Sequence, residues 1–413
     1  RCRARRTLNV ETSLNPPVAD LEALRKKALM AGGVGLVLCV IGFVVDRDQF
    51  FRSWLIAFLL FLGISLGSMA LMMIQHLSGG TWGVFRRVFE ASARTLPLMA
   101  ALFIPVIAGM TDLYPWTHSD LVAEDHILQH KAPYLNSGFF IARYVVYFLG
   151  WIAIAYTLTA WSKRQDEGDM SVNLKIQRLS GFGIVFYALT VTFAGIDWIM
   201  SLNPHWYSTL FGFLMMGGQG LSTLAFTIII SRYLSQRPPM QDLLKPAHFH
   251  DLGKLSLAFT MLWAYFNFSQ FLLTYAANLV EEVPYFLSRL DGGWQYLAIF
   301  LILFHFFVPF FLLLSRDNKR ASSRLVMIAA WIIFVRYVDI YMLVTPEFGA
   351  EGNLHMLAGE HESHFFVHWL DLAAPLAIGG LWVWMFCTQL LQRPMLAFRD
   401  PYLRESLQSS GGH

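Results

Sequence analysis

Cysteine is close to absent: the 413 residues hold three, Cys2, Cys39 and Cys387, too few and too scattered for a disulfide framework or a metal cluster. Charge is scarce as well. Asp, Glu, Lys and Arg make up 14% of the chain, against about 25% in soluble globular domains. No C-x-x-C-H run offers covalent haem attachment, no G-x-x-x-x-G-K-[ST] run cradles phosphates and no H-E-x-x-H run holds zinc. What remains is apolar: 56% of residues are AVILMFWYC, 35 are Phe and 13 Trp, and the mean hydropathy is +0.48. That composition excludes a soluble enzyme, a disordered chain and a nucleic-acid binder, and it requires an integral membrane protein.

A helix needs about 20 apolar residues to cross a bilayer core. Ten stretches qualify, at 28–45, 53–75, 95–112, 140–161, 180–201, 207–231, 253–278, 293–315, 324–345 and 366–390. They are apolar on every face, whereas barrel strands alternate over about 10 residues. The expected fold is therefore all-α, with ten transmembrane helices. Lys and Arg set the orientation. Of the 31, 25 fall in the N-terminal arm, the tail and the loops after spans 2, 4, 6 and 8, Arg86, Arg87, Arg94 and Arg393 among them. Four (Arg47, Arg52, Lys131 and Arg289) fall in the opposite loops. The positive-inside rule then places both termini in the cytoplasm. Residues 1–27 form a basic arm without the apolar core of a signal peptide. The outer loops at 113–139 and 346–365 are rich in His and acid: His118, Glu124, Asp125, His126 and His130 in one, Glu347, Glu351, His355, Glu360, His361, Glu362 and His364 in the other. They suit docking of an external partner better than a metal, since no ligand spacing repeats.

The chain also repeats itself. Asp197-Trp-Ile-Met200-Ser-Leu-Asn-Pro204 closes span 5, and Asp339-Ile-Tyr-Met342-Leu-Val-Thr-Pro346 closes span 9. Both read D-x-x-M-x-x-x-P, and four intervening spans preserve direction. The expectation is a parallel repeat of two four-helix bundles, spans 2–5 and 6–9, with spans 1 and 10 flanking. Small-residue runs at 63–68 and 217–222 permit close helix approach in spans 2 and 6. The chain divides accordingly into the arm 1–27, a flanking helix 28–52, bundles 53–205 and 206–346, an outer loop and last helix 347–390, and a cytoplasmic tail 391–413.

Polar residues inside spans are costly, and the ionisable ones point to function. Span 7 carries Ser256, Thr260, Asn267, Gln270, Thr274 and Asn278 along one face, and span 2 carries Ser65, Ser68, Gln75 and His76. Ser and Thr in such stripes commonly do no more than hydrogen-bond neighbouring helices. The ionisable members go further. Arg336 and Asp339 are i, i+3 on span 9, and His305 lies midway along span 8. Together with Gln75, His76, Asn267, Gln270 and Thr274 they form a candidate proton path. Near the outer ends, Arg143, Asp197 and His205 fit a quinol-side site, because quinol oxidation needs groups that hydrogen-bond its oxygens and accept its protons. Bis-histidine haem needs two His at one depth. His76 is at the inner end, His305 midway and His368 at the outer end, so no bound redox cofactor is expected and electrons would leave to a partner subunit.

Three stretches carry a resemblance: DWIMSLNPHWYSTLFG at 197–212, YFNFSQFLLTYAAN at 265–278 with Glu281 and Glu282 following, and HFFVPFFLLLSR at 305–316. They are similar to signatures of the large membrane subunits of alternative complex III, a bacterial quinol:electron-acceptor oxidoreductase. Those subunits resemble in turn the NrfD/polysulfide-reductase membrane-anchor family. The run GSMALMMIQH at 67–76 before TWGVFRR at 81–87 resembles the ActF-type subunit most. The resemblance implies two four-helix bundles with flanking helices, in the bacterial cytoplasmic (inner) membrane. It also implies three protein partners: a multihaem cytochrome c subunit, an iron–sulfur protein subunit and a second NrfD-like ten-helix subunit. Membrane lipid surrounds the chain, and quinol or menaquinol is the implied substrate. The implied role is scaffold and proton-conducting half-channels, with Asp197 and His205 on the outer-end carboxylate motif. A secondary transporter is the alternative, since parallel repeats and buried charges suit it too. Transporters, however, interrupt matching helices, and Pro105, Pro309 and Pro375 have no counterparts in the other half.

Overall fold

The computed structural model describes residues 15–280, 282–348 and 364–403, and among these every regular element is helical. Ten long helices follow in order: α1 (Val18–Val45), α2 (Arg47–Ser78), α3 (Trp82–Ala108), α4 (Ser137–Glu167), α5 (Val172–Leu202), α6 (Phe211–Leu234), α7 (Pro246–Ala277), α8 (Trp294–Leu314), α9 (Ser322–Glu347) and α10 (Leu370–Leu390). Nine of them, all but α7, are long and apolar enough to cross a membrane. At 32 residues, α7 reaches about 48 Å, ample for a bilayer. Its Ser256, Thr260, Asn267, Ser269, Gln270 and Thr274 lower its hydropathy below that of the rest. The expected ten apolar spans are thus nine by composition, and the chain is an all-α, multi-pass membrane protein.

Small residues decide which helices touch. α1 lies antiparallel along α10, so close that a Cβ on Gly35 or Gly380 would collide with the main chain of Ala377 or Gly32. This pairing puts the start of α1 and the end of α10 at one end of the molecule, here the near end; the opposite end is the far end. α2, the most buried helix, packs against α3, α5, α6, α9 and α10. Its Gly67 abuts the Gln219 carbonyl and Thr223 of α6, a contact any larger residue would prevent. α3 packs on α4, and α4 on α5. In the second half of the chain α6 packs on α7 and α9, and both of these pack on α8.

Several boundaries differ from those read in the sequence. α1 begins at Val18, so residues 18–27 of the basic arm are helical. α3 begins at Trp82, where a basic loop was expected, and carries Arg86, Arg87 and Arg94. Arg86 and Arg87 are each only 2% exposed. Apolar-run counting stops at charges, and here the charges are neutralised inside the protein. α3 is built of short pieces, with Pro97 and Pro105 each in the first turn of a piece, where a missing N–H costs least. In α8 a π-helical turn spans Ile302–Phe307. Pro309 follows it, and its missing N–H leaves the His305 carbonyl without the usual i+4 donor, a local cause for the wider turn.

Candidate functional site

The two D-x-x-M-x-x-x-P carboxylates are both buried toward the far end, Asp197 at 1% and Asp339 at 4% exposure. Each has a cation. Arg143, near the start of α4, donates from Nε to Asp197 Oδ2 at 2.8 Å, and the Tyr147 hydroxyl donates to the same oxygen at 2.9 Å. The Arg143 guanidinium also donates to the Tyr134 carbonyl at 3.0 Å and lies over the Tyr134 and Phe139 rings, 4.0 and 4.4 Å from their centroids. Asp339 pairs with Arg336 one turn back on its own helix, and Trp263 of α7 donates from Nε1 at 3.0 Å. On the Trp263 indole lies the His305 ring, 3.9 Å between centroids and 28° between planes. His305 is 1% exposed, and neither ring nitrogen hydrogen-bonds another described residue.

A cavity of about 30 Å³ lies at the junction of α2, α5, α6 and α9. Leu59, Leu62, Gly63 and Leu66 line it from α2, and Met215, Gly218, Gln219 and Ser222 line it from α6, at the same spacing. Five residues of α5 face it, Ala194 and Trp198 among them with Val191, Gly195 and Ile199, and two of α9, Arg336 and Ile340; the pairs Ala194/Trp198 and Arg336/Ile340 correspond. Each of these pairs stands at the same offset from the aspartate of its own motif, three residues before and one after. The polar lining is Gln219, Ser222 and Arg336, and Gln219 accepts from the Tyr187 hydroxyl at 2.7 Å. Because about 10–15 Å³ holds one water, the cavity has room for about two or three waters and none for a quinol ring.

His205, expected beside Arg143 and Asp197, is elsewhere. It is 42% exposed and its Nε2 meets Asp125 Oδ2 at 2.5 Å. Asp125 caps the short helix His126–Lys131 through the Ile127 and Leu128 amides, and Lys131 Nζ donates to the Pro204 carbonyl at 2.5 Å. His205 therefore clips the far-end loop to the turn after α5. Burial raises the Asp125 carboxyl, but the His205 hydrogen bond and the two amides outweigh it and hold the group below its ordinary value. In the other far-end loop, His355, His361, Glu351, Glu360 and Glu362 lie outside the described residues, as does Glu281 after α7.

The α7 stripe is largely consumed locally. Ser256, Thr260 and Asn267 donate to carbonyls one turn back, Gln270 accepts from Ser208, and Thr274 reaches Glu282 at 3.4 Å. At the near end, His76 Nδ1 meets the Ser180 hydroxyl at 3.0 Å, and Gln75 donates to Asp400 at 3.0 Å. Here the structure adds a network that sequence reading missed. Glu90, 1% exposed, accepts from Arg86 at 3.0 Å, Arg87 at 2.5 Å, Arg393 at 3.1 Å and Ser162 at 2.6 Å. Arg86 also donates to Asp400 at 2.9 Å, and Arg87 pairs with Asp166. The i+3 and i+4 spacing of Arg87 and Arg86 to Glu90 was the available signal; nothing in the sequence announced Asp400 or Tyr147.

Among the described residues no group of three or more His, Cys, Asp or Glu side chains is placed to hold a metal ion. No protein-family model matches the chain, and no curated protein matches it either.

Proposed function

We propose that this chain is a membrane subunit of a quinol:electron-acceptor oxidoreductase of the alternative complex III type, serving as scaffold and proton conductor while partner subunits carry the electrons. The observation that carries the reading is a small, mostly apolar cavity with Gln219, Ser222 and Arg336 in its wall. It is lined in part by equivalent positions of α2 and α6 and of α5 and α9, and α5 and α9 each carry a buried, cation-paired carboxylate. Equivalent lining is what a parallel repeat produces on its axis. In this reading α7 crosses the membrane too, giving ten spans, with α2–α5 and α6–α9 as the two bundles and α1 and α10 flanking. Both termini then face the cytoplasm of a bacterial cell. The far end faces the multihaem cytochrome c and iron–sulfur partners.

The chemistry follows from the residue types. Quinol oxidation releases two protons with two electrons. Asp339 is a buried carboxylate with Arg336 and Trp263 as its partners, and the cavity that Arg336 lines has room for the water a relay needs. His305, stacked against Trp263 with both nitrogens free of other described residues, is the second member of the proposed path. The cavity is too small for a quinol ring, so quinol binds at another surface of the complex. The helix interruptions fall in α3 and α8, which are not matching members of the two halves, and this argues against transport.

Purification from native membranes in mild detergent tests the assembly: a multihaem cytochrome c, an iron–sulfur protein and a second ten-span subunit co-purify. Isolation of the chain alone, or as a homo-oligomer, sinks the reading. In the assembled complex, Asp339→Asn and His305→Ala lower proton release per quinol; unchanged turnover and proton yield would remove the conductor role.

A further inference from the structure

The near-end network has an arrangement that the proton-conducting reading does not use. After α10 the chain turns back across the bundle. Residues 393–403 lie over the end of α2 and the start of α3, with Met395, Leu396 and Ala397 buried. Arg393 donates to Glu90 at 3.1 Å and to the Thr159 carbonyl at 2.8 Å, and Asp400 accepts from Arg86 and Gln75. The Tyr402 ring occupies the space beside Gly79, where φ is +67° and a Cβ would meet the ring.

At this end of α2 and α3 four polar atoms are buried with no hydrogen-bond partner among the described residues: Gln75 Oε1, His76 Nε2, Arg86 Nη2 and Arg87 Nε. They come from adjacent turns of α2 and α3. Buried polar groups without protein partners mark the places where internal water sits. The covering segment is also dispensable to the charges beneath it. Without Arg393, Glu90 keeps Arg86, Arg87 and Ser162. Without Asp400, Arg86 keeps Glu90. The segment is held by two ion pairs and by its buried Met395, Leu396, Ala397 and Leu403; lifting it strands no bare charge, and buried pairs of this kind sit close to break-even with hydration.

We propose that residues 393–403 are a detachable lid over a water-holding pocket at the near end of α2, and that its opening admits bulk water and protons to His76. The proton-admitting role rests on the conductor reading above; the lid itself does not. With the lid down, Asp400 ties off Gln75, and His76 reaches only Ser180 and enclosed water. With the lid up, the Nε2 of His76 meets bulk solvent, and a proton taken there enters at the polar stripe of α2.

The test is hydrogen–deuterium exchange at the imidazole C2–H, read by mass spectrometry on the full chain in its native membranes. His305, equally buried and remote from the tail, is the internal control. Asp400→Asn, and separately a chain ending at Gln392, should speed exchange at His76 about tenfold or more while His305 stays unchanged. Unchanged exchange at His76 in the shortened chain overturns the lid. A parallel rise at His305 also overturns it, because the segment would then be part of the core. If exchange at His76 rises while quinol turnover and proton release stay the same, the lid stands and the conductor role of this end falls.

Discussion

Asp197 and Asp339 occupy corresponding points of the repeat, yet they are held in different ways. Asp197 takes its cation and its hydroxyl from α4, so the pair joins two helices. Asp339 takes its cation from its own helix, so its link to another helix is the one hydrogen bond from Trp263 of α7. In the second half the joining is done further out, where Arg289 donates to Glu347 at 2.5 Å and to the Tyr285 carbonyl at 2.9 Å. Arg289 also lies 3.5 Å over the Tyr285 ring, whose other neighbour is Trp206, stacked at 3.7 Å. One half thus uses its motif carboxylate as a staple. The other moves the staple to the loop and leaves the carboxylate beside a water-sized cavity and an unengaged histidine. A carboxylate tied across helices by one neutral donor carries less of the structural load than one tied by a cation and a hydroxyl.

The sharpest way to break this contrast is to remove the cations. Arg143→Leu strands Asp197 away from the cavity, with Tyr147 as its one remaining donor, and should cost about 3–5 kcal/mol, the range for breaking a buried pair. Arg336→Leu enlarges the cavity next to Asp339, so water can hydrate the carboxylate. Its cost should be smaller, about 1–3 kcal/mol, near that of one unsatisfied buried group. Thermal unfolding of the detergent-solubilised protein gives the order. If Arg336→Leu proves the more damaging, Asp339 is the staple and the division of labour is wrong.

The neutral donors come next. Tyr147→Phe and Trp263→Phe each remove one hydrogen bond to a carboxylate, about 1.5–3 kcal/mol for bonds to charged groups. The two should differ in function more than in stability. Tyr147→Phe leaves proton release per quinol alone, and Trp263→Phe, which also shrinks the surface under His305, lowers it. Equal effects on proton release would erase the distinction between the halves.

The contrast was only half legible in the sequence. The recurring D-x-x-M-x-x-x-P motif, its buried carboxylates and the i, i+3 pair on α9 could be read because they depend on local spacing. So could most span positions, since apolar length is a local property. The partners of Asp197 and Glu90 could not. Arg143 was visible as a charge inside a span, but nothing local chose Asp197 for it 54 positions on, and Arg393 and Asp400 reach Glu90 and Arg86 across about 300 positions. The same blindness turned Arg86 and Arg87 into loop residues: counting charges as solvent-facing fails where a distant carboxylate neutralises them. The partner of His205 was hidden for the complementary reason. Its neighbours in sequence pointed to Asp197, while its partner Asp125 sits in a loop with no periodic signal.

The smallest effect concerns that far-end clip, and its sign is fixed by linkage. Asp125 is held below its ordinary carboxylate value, so it binds fewer protons folded than unfolded at acid pH. The stability it adds is complete above the ordinary carboxylate range and is lost as pH falls through the depressed folded value. Amide exchange at Ile127 and Leu128, the two N–H groups that Asp125 caps, should accelerate only at strongly acid pH. In His205→Ala the onset should shift upward toward the ordinary Asp range, because one of the interactions holding the carboxyl down is gone. The change in overall unfolding should be slight, since His205 is largely solvated and exposed ion pairs contribute little. Loss of the far-end loop near neutral pH in His205→Ala would instead make His205 a structural member of that site, and would return it to the neighbourhood of Arg143 and Asp197.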